Sequence, residues 1–470
     1  MPFEGPPLRR SIKLGWAVGE LGIAVFVGLN IAFLLYYCTD ALHIPPAVAG
    51  ITLLVPRILD AFADPVMGVV SDRTSTRFGR RRLYLAIGAP LLGLSTALIF
   101  FIPPGAALTV KVLLLAAASL ISNASVTVFG VPYAAMAAEM TADYAERTGL
   151  MGYKMMAART GIILSGFLGP LIFRSVSDLA EGFRFLGLIA GVFMAATGLW
   201  AFFATREAPQ ITRTLHKFEL RAEISAVLNN GPFRILWLVF LSQNIAIGSS
   251  ATALIYFLIY AMRLDARDSS LFLTAAGIAA AVATPAWVFV AHRLGKKKTY
   301  VVGTLFAAAI ALALFSVSPS FAPFLLAIVI AGGLIDGGNQ LLPNAMVPDS
   351  VEVDEAATGK RREGVIFGAW SFCQKLGMTF GAFAVSIGLS LFGFDEGAGA
   401  AGQSALAVLG IRVMYVGFPA LLWLAAAALL SRYDLNQDKF EALKAAAVAR
   451  KQADALDYAH IVEAEERAGP

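Results

Sequence analysis

Twelve long apolar segments constrain this chain more than any other feature of its sequence. A helix needs about 20 consecutive apolar residues to cross the roughly 30 Å hydrocarbon core of a bilayer. Twelve segments reach that length, at residues 14–38, 46–71, 83–103, 107–138, 151–174, 184–204, 233–262, 270–292, 299–317, 322–347, 365–393 and 406–431. The pattern predicts an all-α membrane protein with twelve transmembrane helices, whose surroundings are the lipid bilayer.

The low content of charged residues supports this prediction. Asp, Glu, Lys and Arg make up 15% of the chain, against about 25% in a typical soluble domain. The formal charge of +5 comes from short basic clusters between apolar segments, so we expect no nucleic-acid partner. Cys38 and Cys373 lie in separate apolar segments, which favours buried packing over a disulfide or a metal site.

The sequence contains no pattern typical of an enzyme. Its four histidines, at positions 43, 216, 292 and 460, form no ligand-like pair. The segment "GKRREG" lacks the spacing of a phosphate-binding loop. We therefore expect a protein that is not an enzyme and that has no cofactor.

The basic clusters predict how the chain lies in the membrane. Loops rich in Lys and Arg stay in the cytoplasm. Such residues follow the second, eighth and tenth segments: Arg73, Arg77, Arg80, Arg81, Arg82, Arg293, Lys296, Lys297, Lys298, Lys360, Arg361 and Arg362. Because these loops follow even-numbered segments, they lie on one side with both termini. We expect a multi-pass protein of the plasma (inner) membrane with both termini in the cytoplasm.

A repeat divides the chain into two halves. "SDRTSTRFGRRR" follows the second segment and "AHRLGKKK" follows the eighth, each a short basic turn containing glycine, six segments apart. Two six-helix halves of this kind are the plan of the major facilitator fold, which has its binding site near the midplane. The predicted parts are an N-terminal half, a cytoplasmic connector, a C-terminal half and a cytoplasmic tail, at residues 1–204, 205–232, 233–433 and 434–470.

The second segment carries charged residues inside an apolar stretch. In "RILDAFADP", Arg57 precedes Asp60 by three residues and Asp64 follows by four, so all three lie on one face of a helix. A charge at the bilayer centre costs at least about 2.5 to 3.5 kcal/mol, so such residues pair or line a hydrated cavity. Two carboxylates against one guanidinium indicate a site for a monovalent cation, and oxygen ligands suit either H+ or Na+. The alternative is that Arg57 neutralises one carboxylate while the other is solvated at a helix end.

Several stretches resemble one transporter family. "DAFADPVMGVVSDRTSTRFGRRR", "VPYAAMAAEMTADYAERTGLMGYK" and "VPDSVEVDEAATGKRREGVIFGAWSFCQKLG" are similar to signatures of the glycoside-pentoside-hexuronide:cation symporters, the melibiose-permease-like family of the major facilitator superfamily. The resemblance extends from about Lys13 to Leu443. It implies a monomeric secondary transporter that moves a small molecule together with H+ or Na+ by alternating access.

The resemblance also implies roles for individual residues. Asp60, Asp64 and Thr127 match the family's cation site, and Lys375 in "FCQKLG" matches an intramembrane lysine that, with Arg57, forms the charge network coupling cation to substrate. The family's asparagine between the two aspartates falls on Ala63, which removes one Na+ ligand and favours H+.

The substrate is less well defined, because the family's two sugar-binding carboxylates fall on Ala24 and Gly130. The polar and aromatic residues that we consider as replacements are Glu20, Tyr153, Asn244, Asp336, Asn339, Trp370 and Gln374. For Asp336, a carboxylate facing the cavity and one buried in glycine-rich helix packing are equally open, and each aromatic ring either stacks on a sugar or simply packs. We therefore expect symport of a sugar or glycoside, with a lysophospholipid or another amphiphile as the alternative.

The basic loops suggest a gate as well as a topology signal. We expect a cytoplasmic gate from Asp72, Arg73, Arg80, Arg81 and Glu139, in which loop cations pair with carboxylates at helix ends. In the connector, apolar residues at helical spacing predict a short helix on the membrane surface, formed around Leu220, Ile224, Val227 and Leu228.

Overall fold

A computed structural model describes residues 8–141, 143–173, 175–209, 230–264, 269–315, 317, 319, 322–358 and 363–435. The predicted surface helix of the connector and nearly all of the predicted tail lie outside the described residues. The described chain forms twelve long helices with α1–α6 at Arg10–Ala32, Pro46–Arg73, Arg82–Ile99, Leu108–Met140, Tyr144–Phe173 and Leu179–Ala204. Helices α7–α11 follow at Gly231–Tyr256, Ser269–Leu294, Lys296–Phe315, Ala322–Thr358 and Glu363–Leu391, and α12 consists of Ala405–Arg412, a π-helical turn at Val413–Gly417 and Phe418–Ser431.

All twelve helices are long and apolar enough to span a membrane, which confirms the prediction from the sequence. The first turns of two of these helices are stabilised by side chains that accept from free main-chain N–H groups. Asp178 accepts from Ala180 and Glu181 at the start of α6, and Asn230 accepts from Phe233 at the start of α7. Several helices extend beyond the apolar segments, such as α10, which has 37 residues.

Small residues let helices approach closely within each half. A Cβ atom on Gly93 of α3 would lie 2.3 Å from the Gly191 oxygen of α6. A Cβ atom on Gly248 of α7 would lie 2.5 Å from the Met378 oxygen of α11. Lipid tails offer helices no hydrophobic drive to associate, so close van der Waals packing holds such helix pairs together.

The buried apolar residues show where the two halves touch. One large cluster contains residues of both halves, including Phe33 and Tyr37 with Tyr256 and Leu389, at the end of the molecule remote from the basic loops. The clusters nearer those loops are each built from one half, one around Tyr133 and the other around Tyr300. The two halves are therefore joined by apolar packing at the remote end only, among the described residues.

The helices that meet at the remote end finish in the same way. After α1 the chain makes a π-helical turn at Tyr37–Ala41, and α7 ends in a π-helical turn at Phe257–Ala261. Each turn is followed by a residue with positive φ, His43 at 51° and Arg263 at 56°. This shared geometry shows that the two halves are built on one plan.

Candidate cation and substrate sites

Helix α2 places Asp60 and Asp64 one turn apart, facing α4 and α11. The hydroxyl of Thr127 on α4 donates to Asp60 Oδ1 and lies 3.1 Å from Asp64 Oδ1. The ammonium of Lys375 on α11 lies 3.3 Å from Asp60 Oδ2 and donates to Asp64 Oδ2. The four side chains come from three helices and both halves, so the structure brings together the residues that the resemblance grouped.

These charges are unequally exposed. The Asp60 side chain is 11% exposed, whereas the Lys375 side chain is 46% exposed. Asp60 is thus shielded and Asp64, at 29%, is partly exposed, while the lysine reaches them from a more open space. Because one ammonium faces two carboxylates, the cluster keeps an excess of negative charge and a set of oxygen donors that suits a small hard cation.

Arg57 occupies a different environment from the one expected for a counter-ion. It forms no hydrogen bond or ion pair with any described residue, and Lys375, not Arg57, pairs with the two aspartates. Arg57 lines a small pocket between the halves together with Asn30, Leu35, Gly50, Leu53, Leu54, Thr252, Thr379, Ala382 and Phe383. The direct ion pairs of both aspartates are thus made by Lys375, while Arg57 interacts with Asp60 through its charge alone, and its neutralising role stays a prediction.

Three substrate candidates are buried in helix packing. Trp370 is 4% exposed, and its ring stacks on Phe240 with centroids 3.7 Å apart. Asn244 is 1% exposed and donates to the Phe240 carbonyl one turn earlier. Asn339 is fully buried, and its main-chain carbonyl accepts from Gln243 at 2.5 Å. In this conformation neighbouring helices enclose these three side chains, and their roles in substrate binding stay predictions.

The remaining candidates are placed differently. Glu20 on α1 lies 3.6 Å from the Lys154 ammonium on α5, and Asp336 on α10 bonds Gln340 and experiences the charge of Arg159 on α5. Asp336 thus faces a cation of the other half. Gln374 is exposed and Tyr153 half-buried.

Two cations near the site were missed from the sequence. Lys154 and Arg159 stand in the apolar fifth segment, in "YKMMAARTG", and intramembrane charges of this kind are a recognisable signal. Each faces a carboxylate that had been considered alone, Glu20 and Asp336 respectively. The site therefore contains two cations on α5, each facing a carboxylate, in addition to the cluster around the aspartates of α2.

The two positions on which the resemblance places the family's sugar-binding carboxylates differ in their surroundings. Ala24 is 5% exposed, and a Cβ atom on Gly161 of α5 would lie 2.5 Å from its Cβ. A longer side chain at position 24 would force α1 and α5 apart. Gly130 is open, since the nearest atom to an added Cβ is Ile23 Cδ1 at 3.8 Å. Ala24 thus serves helix packing, whereas position 130 has free space.

The predicted cytoplasmic gate residues pair within one half. Arg81 donates to Asp72 Oδ1 at 2.7 Å and lies 3.0 Å from Glu139, which Arg80 also contacts. Arg73 is exposed. In the C-terminal half, Lys296 pairs with Asp349 at 2.7 Å. In the observed conformation these ion pairs brace each half separately and form no latch between the halves.

Comparison with known proteins places the chain in a family. The family model for MFS/sugar transport proteins matches residues 15–437. The isoprimeverose transporter of Lactiplantibacillus pentosus is 27% identical over 428 residues, which cover 89% of this chain and 88% of that protein. The glucuronide carrier protein homolog of Escherichia coli (strain K12) is 25% identical over 430 residues, covering 91% and 93%.

A solved structure agrees with the fold. The crystal structure of a bacterial homologue of the iron transporter ferroportin in an inward-facing state superposes with a TM-score of 0.65 at 14% sequence identity, covering 90% of this chain and 97% of that one. At this identity the likeness shows the fold alone, two six-helix halves of the major facilitator type. The family model covers most of the chain, the relatives match over nearly their whole length, and the resemblance noted in the sequence is confirmed: the chain belongs to the family of MFS/sugar transport proteins.

Proposed function

We propose that this protein is a secondary active transporter that moves a sugar or glycoside together with H+ or Na+ by alternating access. The observation that carries the proposal is the cluster in which Lys375 of one half bridges Asp60 and Asp64 of the other. Paired carboxylates inside a membrane are costly and need a function. The names of the two relatives, a transporter of isoprimeverose and a glucuronide carrier homolog, support a sugar as the substrate.

Lys375 gives this cluster a means of coupling. In the empty carrier the ammonium pairs with both aspartates and offsets one of their two negative charges, which lowers the cost of moving the halves. A cation that binds the aspartates displaces Lys375, which then lacks a partner in a medium where an unpaired charge is expensive. A substrate with oxygen acceptors restores a partner for Lys375. The empty carrier and the fully loaded carrier are therefore mobile, whereas the carrier with cation alone is held back.

The predicted orientation of the chain in the membrane defines the energy source for transport. With the basic loops and both termini in the cytoplasm, the halves are closed on the outer side and the structure faces inward. A cation that moves inward down the membrane potential releases about 2.3 kcal/mol per charge per 100 mV. This energy drives accumulation of the substrate by a carrier that acts as a monomer in the plasma membrane, with no cofactor besides the coupling ion.

A second candidate is cation-coupled transport of a lysophospholipid or another amphiphile. The pocket beside Arg57 supports it, because half of its lining residues have apolar side chains: Leu35, Leu53, Leu54, Ala382 and Phe383. The cation cluster would act in the same way for either substrate.

The test is thermal stability and uptake with a panel of neutral sugars, uronates, glycosides and lysophospholipids, each with and without Na+ and at several pH values. We expect a sugar to stabilise the protein only when the coupling cation is bound. The double variant Asp60→Asn, Asp64→Asn should lose cation-dependent stabilisation and uptake. Its control is Glu207→Gln, which changes only a surface ion pair with Arg9 whose side chains are 72% and 76% exposed. Stabilisation by lysophospholipids alone would replace the sugar proposal, and full cation dependence in the double variant would refute the site.

A further inference from the structure

At the end remote from the basic loops, the halves meet through residues at equivalent positions. The Tyr260 hydroxyl donates a hydrogen bond to Asp40 Oδ1, and the two residues are 220 positions apart. Tyr36 and Tyr256 have the same separation, 256 − 36 = 220, and their rings meet edge to face with centroids 5.9 Å apart. Asp40 and Tyr260 each lie in the π-helical turn that follows α1 or ends α7. The approximate two-fold axis of the molecule therefore passes through this contact.

Asp40 lies beyond the membrane-spanning part of α1, is half-buried and has little compensation for the charge of its carboxylate. Besides Tyr260, its described hydrogen-bond partner is the Thr39 hydroxyl at 2.5 Å, which also lies 2.7 Å from the Tyr256 hydroxyl. Among the described residues, no lysine or arginine forms an ion pair with it. Burial raises the pKa of Asp40 to about 7, and the hydrogen bonds from Thr39 and Tyr260 and the charge of His43 offset only part of that rise.

The charged and titratable groups around Asp40 come from several parts of the chain. His43 follows in the next turn, where its Nδ1 lies 3.0 Å from the Glu396 carbonyl. The Lys111 ammonium on α4 donates a hydrogen bond to the Leu42 carbonyl at 2.6 Å. The other titratable or charged groups of the described residues around this turn are Tyr36, Tyr37, Cys38, Arg184, Tyr256, Arg263, Asp395 and Glu396. Asp40 is therefore the acid at the centre of the contact between the halves.

We propose that the contact between Asp40 and Tyr260 is a gate at this end of the transporter, and that the gate opens when the Asp40 carboxyl loses its proton. In the closed gate the carboxyl is half-buried against the aromatic rings of Tyr256 and Tyr260, and this loss of hydration favours the neutral acid. Opening transfers the group to water, where an aspartate ionises near pH 4. Closing therefore takes up a proton and opening releases one.

The direction of the pH dependence follows from linkage. The pKa of Asp40 is about 7 in the closed state, above the value of about 4 for an exposed aspartate. The protonated acid therefore stabilises closure fully below about pH 4, and this stabilisation is lost as the pH rises to about 7. Between these values the equilibrium for opening rises about tenfold per pH unit, and above them it is constant.

A native thiol reports on the gate. Cys38 lies two residues before Asp40 and is 0% exposed in the cluster shared by the halves, whereas Cys373, also 0% exposed, belongs to the cluster confined to the C-terminal half. The experiment follows alkylation of the full chain in lipid nanodiscs by N-ethylmaleimide between about pH 5.5 and about pH 8. Mass spectrometry quantifies each cysteine separately. No substrate or coupling ion is needed, so the result is independent of the proposed cation site.

The thiol becomes more reactive with pH through its own ionisation, so rates are compared with Asp40→Asn at each pH. We expect the ratio of wild-type to Asp40→Asn rates at Cys38 to rise by about tenfold per pH unit and to level off near pH 7. A flat ratio overturns the proposal. Labelling of Cys38 that always accompanies labelling of Cys373 also overturns it, because that result reports unfolding of the whole molecule.

A second variant separates the two partners. Tyr260→Phe keeps the Asp40 carboxyl and removes a hydrogen bond that favours its ionised form. The pH at which the labelling rate of Cys38 relative to Asp40→Asn levels off should therefore be higher in this variant. An unchanged profile would show that Tyr260 is not part of the gate. This comparison between two proteins that retain Asp40 also decides the proposal if Asp40→Asn fails to fold.

Discussion

The ammonium of Lys375 lies 3.3 Å from Asp60 and donates to Asp64 as well, so one cation of the C-terminal half compensates two carboxylates of the N-terminal half. A small cation and Lys375 compete for the same oxygens in this arrangement. The competition relates ion binding to the contact between the halves. It also makes Lys375 the residue whose removal is most informative.

Replacing Lys375 by Gln should separate cation binding from transport. We expect the affinity for the coupling cation to rise by about tenfold or more, since each 1.4 kcal/mol of lost competition is a factor of ten, while uptake is abolished. Isothermal titration with Na+ at several pH values and uptake in proteoliposomes measure the two effects. The control is Lys298→Gln, which changes an exposed lysine in the first turn of α9. Weaker cation binding in the Lys375 variant would mean that the lysine organises the site and does not compete for it.

The hydroxyl of Thr127 should matter more than its methyl group. It donates to Asp60 and lies 3.1 Å from Asp64, and a hydrogen bond to a charged group contributes about 1.5 to 3 kcal/mol. Thr127→Ala should therefore change the cation affinity by about tenfold or more, and Thr127→Ser should retain most of it. Equal loss in both variants would indicate that packing of α4, and not the hydroxyl, is what the site requires.

Carboxylates introduced at Ala24 and Gly130, where the resemblance places those of the family, should have different effects on thermal stability. Ala24→Asp places a carboxylate where α1 meets Gly161 of α5, so we expect a fall in melting temperature from overpacking that costs about 1 to 3 kcal/mol. Gly130→Asp has free space and should leave the fold stable. Thermal unfolding in detergent compares the two variants. Comparable stability of both would contradict the packing assigned to Ala24.

Glu146 should contribute stability that disappears in acid. Burial alone would raise its pKa, but hydrogen bonds from Lys13, Thr141 and the Leu8 main chain outweigh burial and hold the pKa below its usual range. The contribution is therefore present above about pH 4.3, the usual pKa of a glutamate, and is lost as the pH falls through the lowered value.

Glu146→Gln should accordingly unfold at a lower temperature than the wild type at neutral pH. The difference is expected to be about 1 kcal/mol or less, as for other partly exposed ion pairs. Melting curves recorded from neutral to acid pH should converge as Glu146 is protonated. A difference that persists at the lowest pH would show that the ion pair with Lys13, at 2.8 Å, is not its source.

The sequence by itself determined the number of helices and the two-half plan. Those features follow from local physics: an apolar stretch of about 20 residues becomes a spanning helix because no water in the bilayer competes for its main-chain hydrogen bonds. The same reasoning marked Asp60 and Asp64, since a charge in an apolar helix is visible without knowledge of its neighbours. Lys154 and Arg159 carry that signal as well and were overlooked.

Only the tertiary structure decided which polar residues face each other. Asn244, Asn339 and Trp370 are as polar or aromatic as a binding residue, yet they pack between helices, because the side of a helix that meets a neighbour depends on rotations that the sequence pattern leaves free. The same applies to Arg57, which faces a pocket and not the aspartates. The contact between Asp40 and Tyr260 joins residues 220 positions apart, and such a pairing exists only when the two halves are packed together.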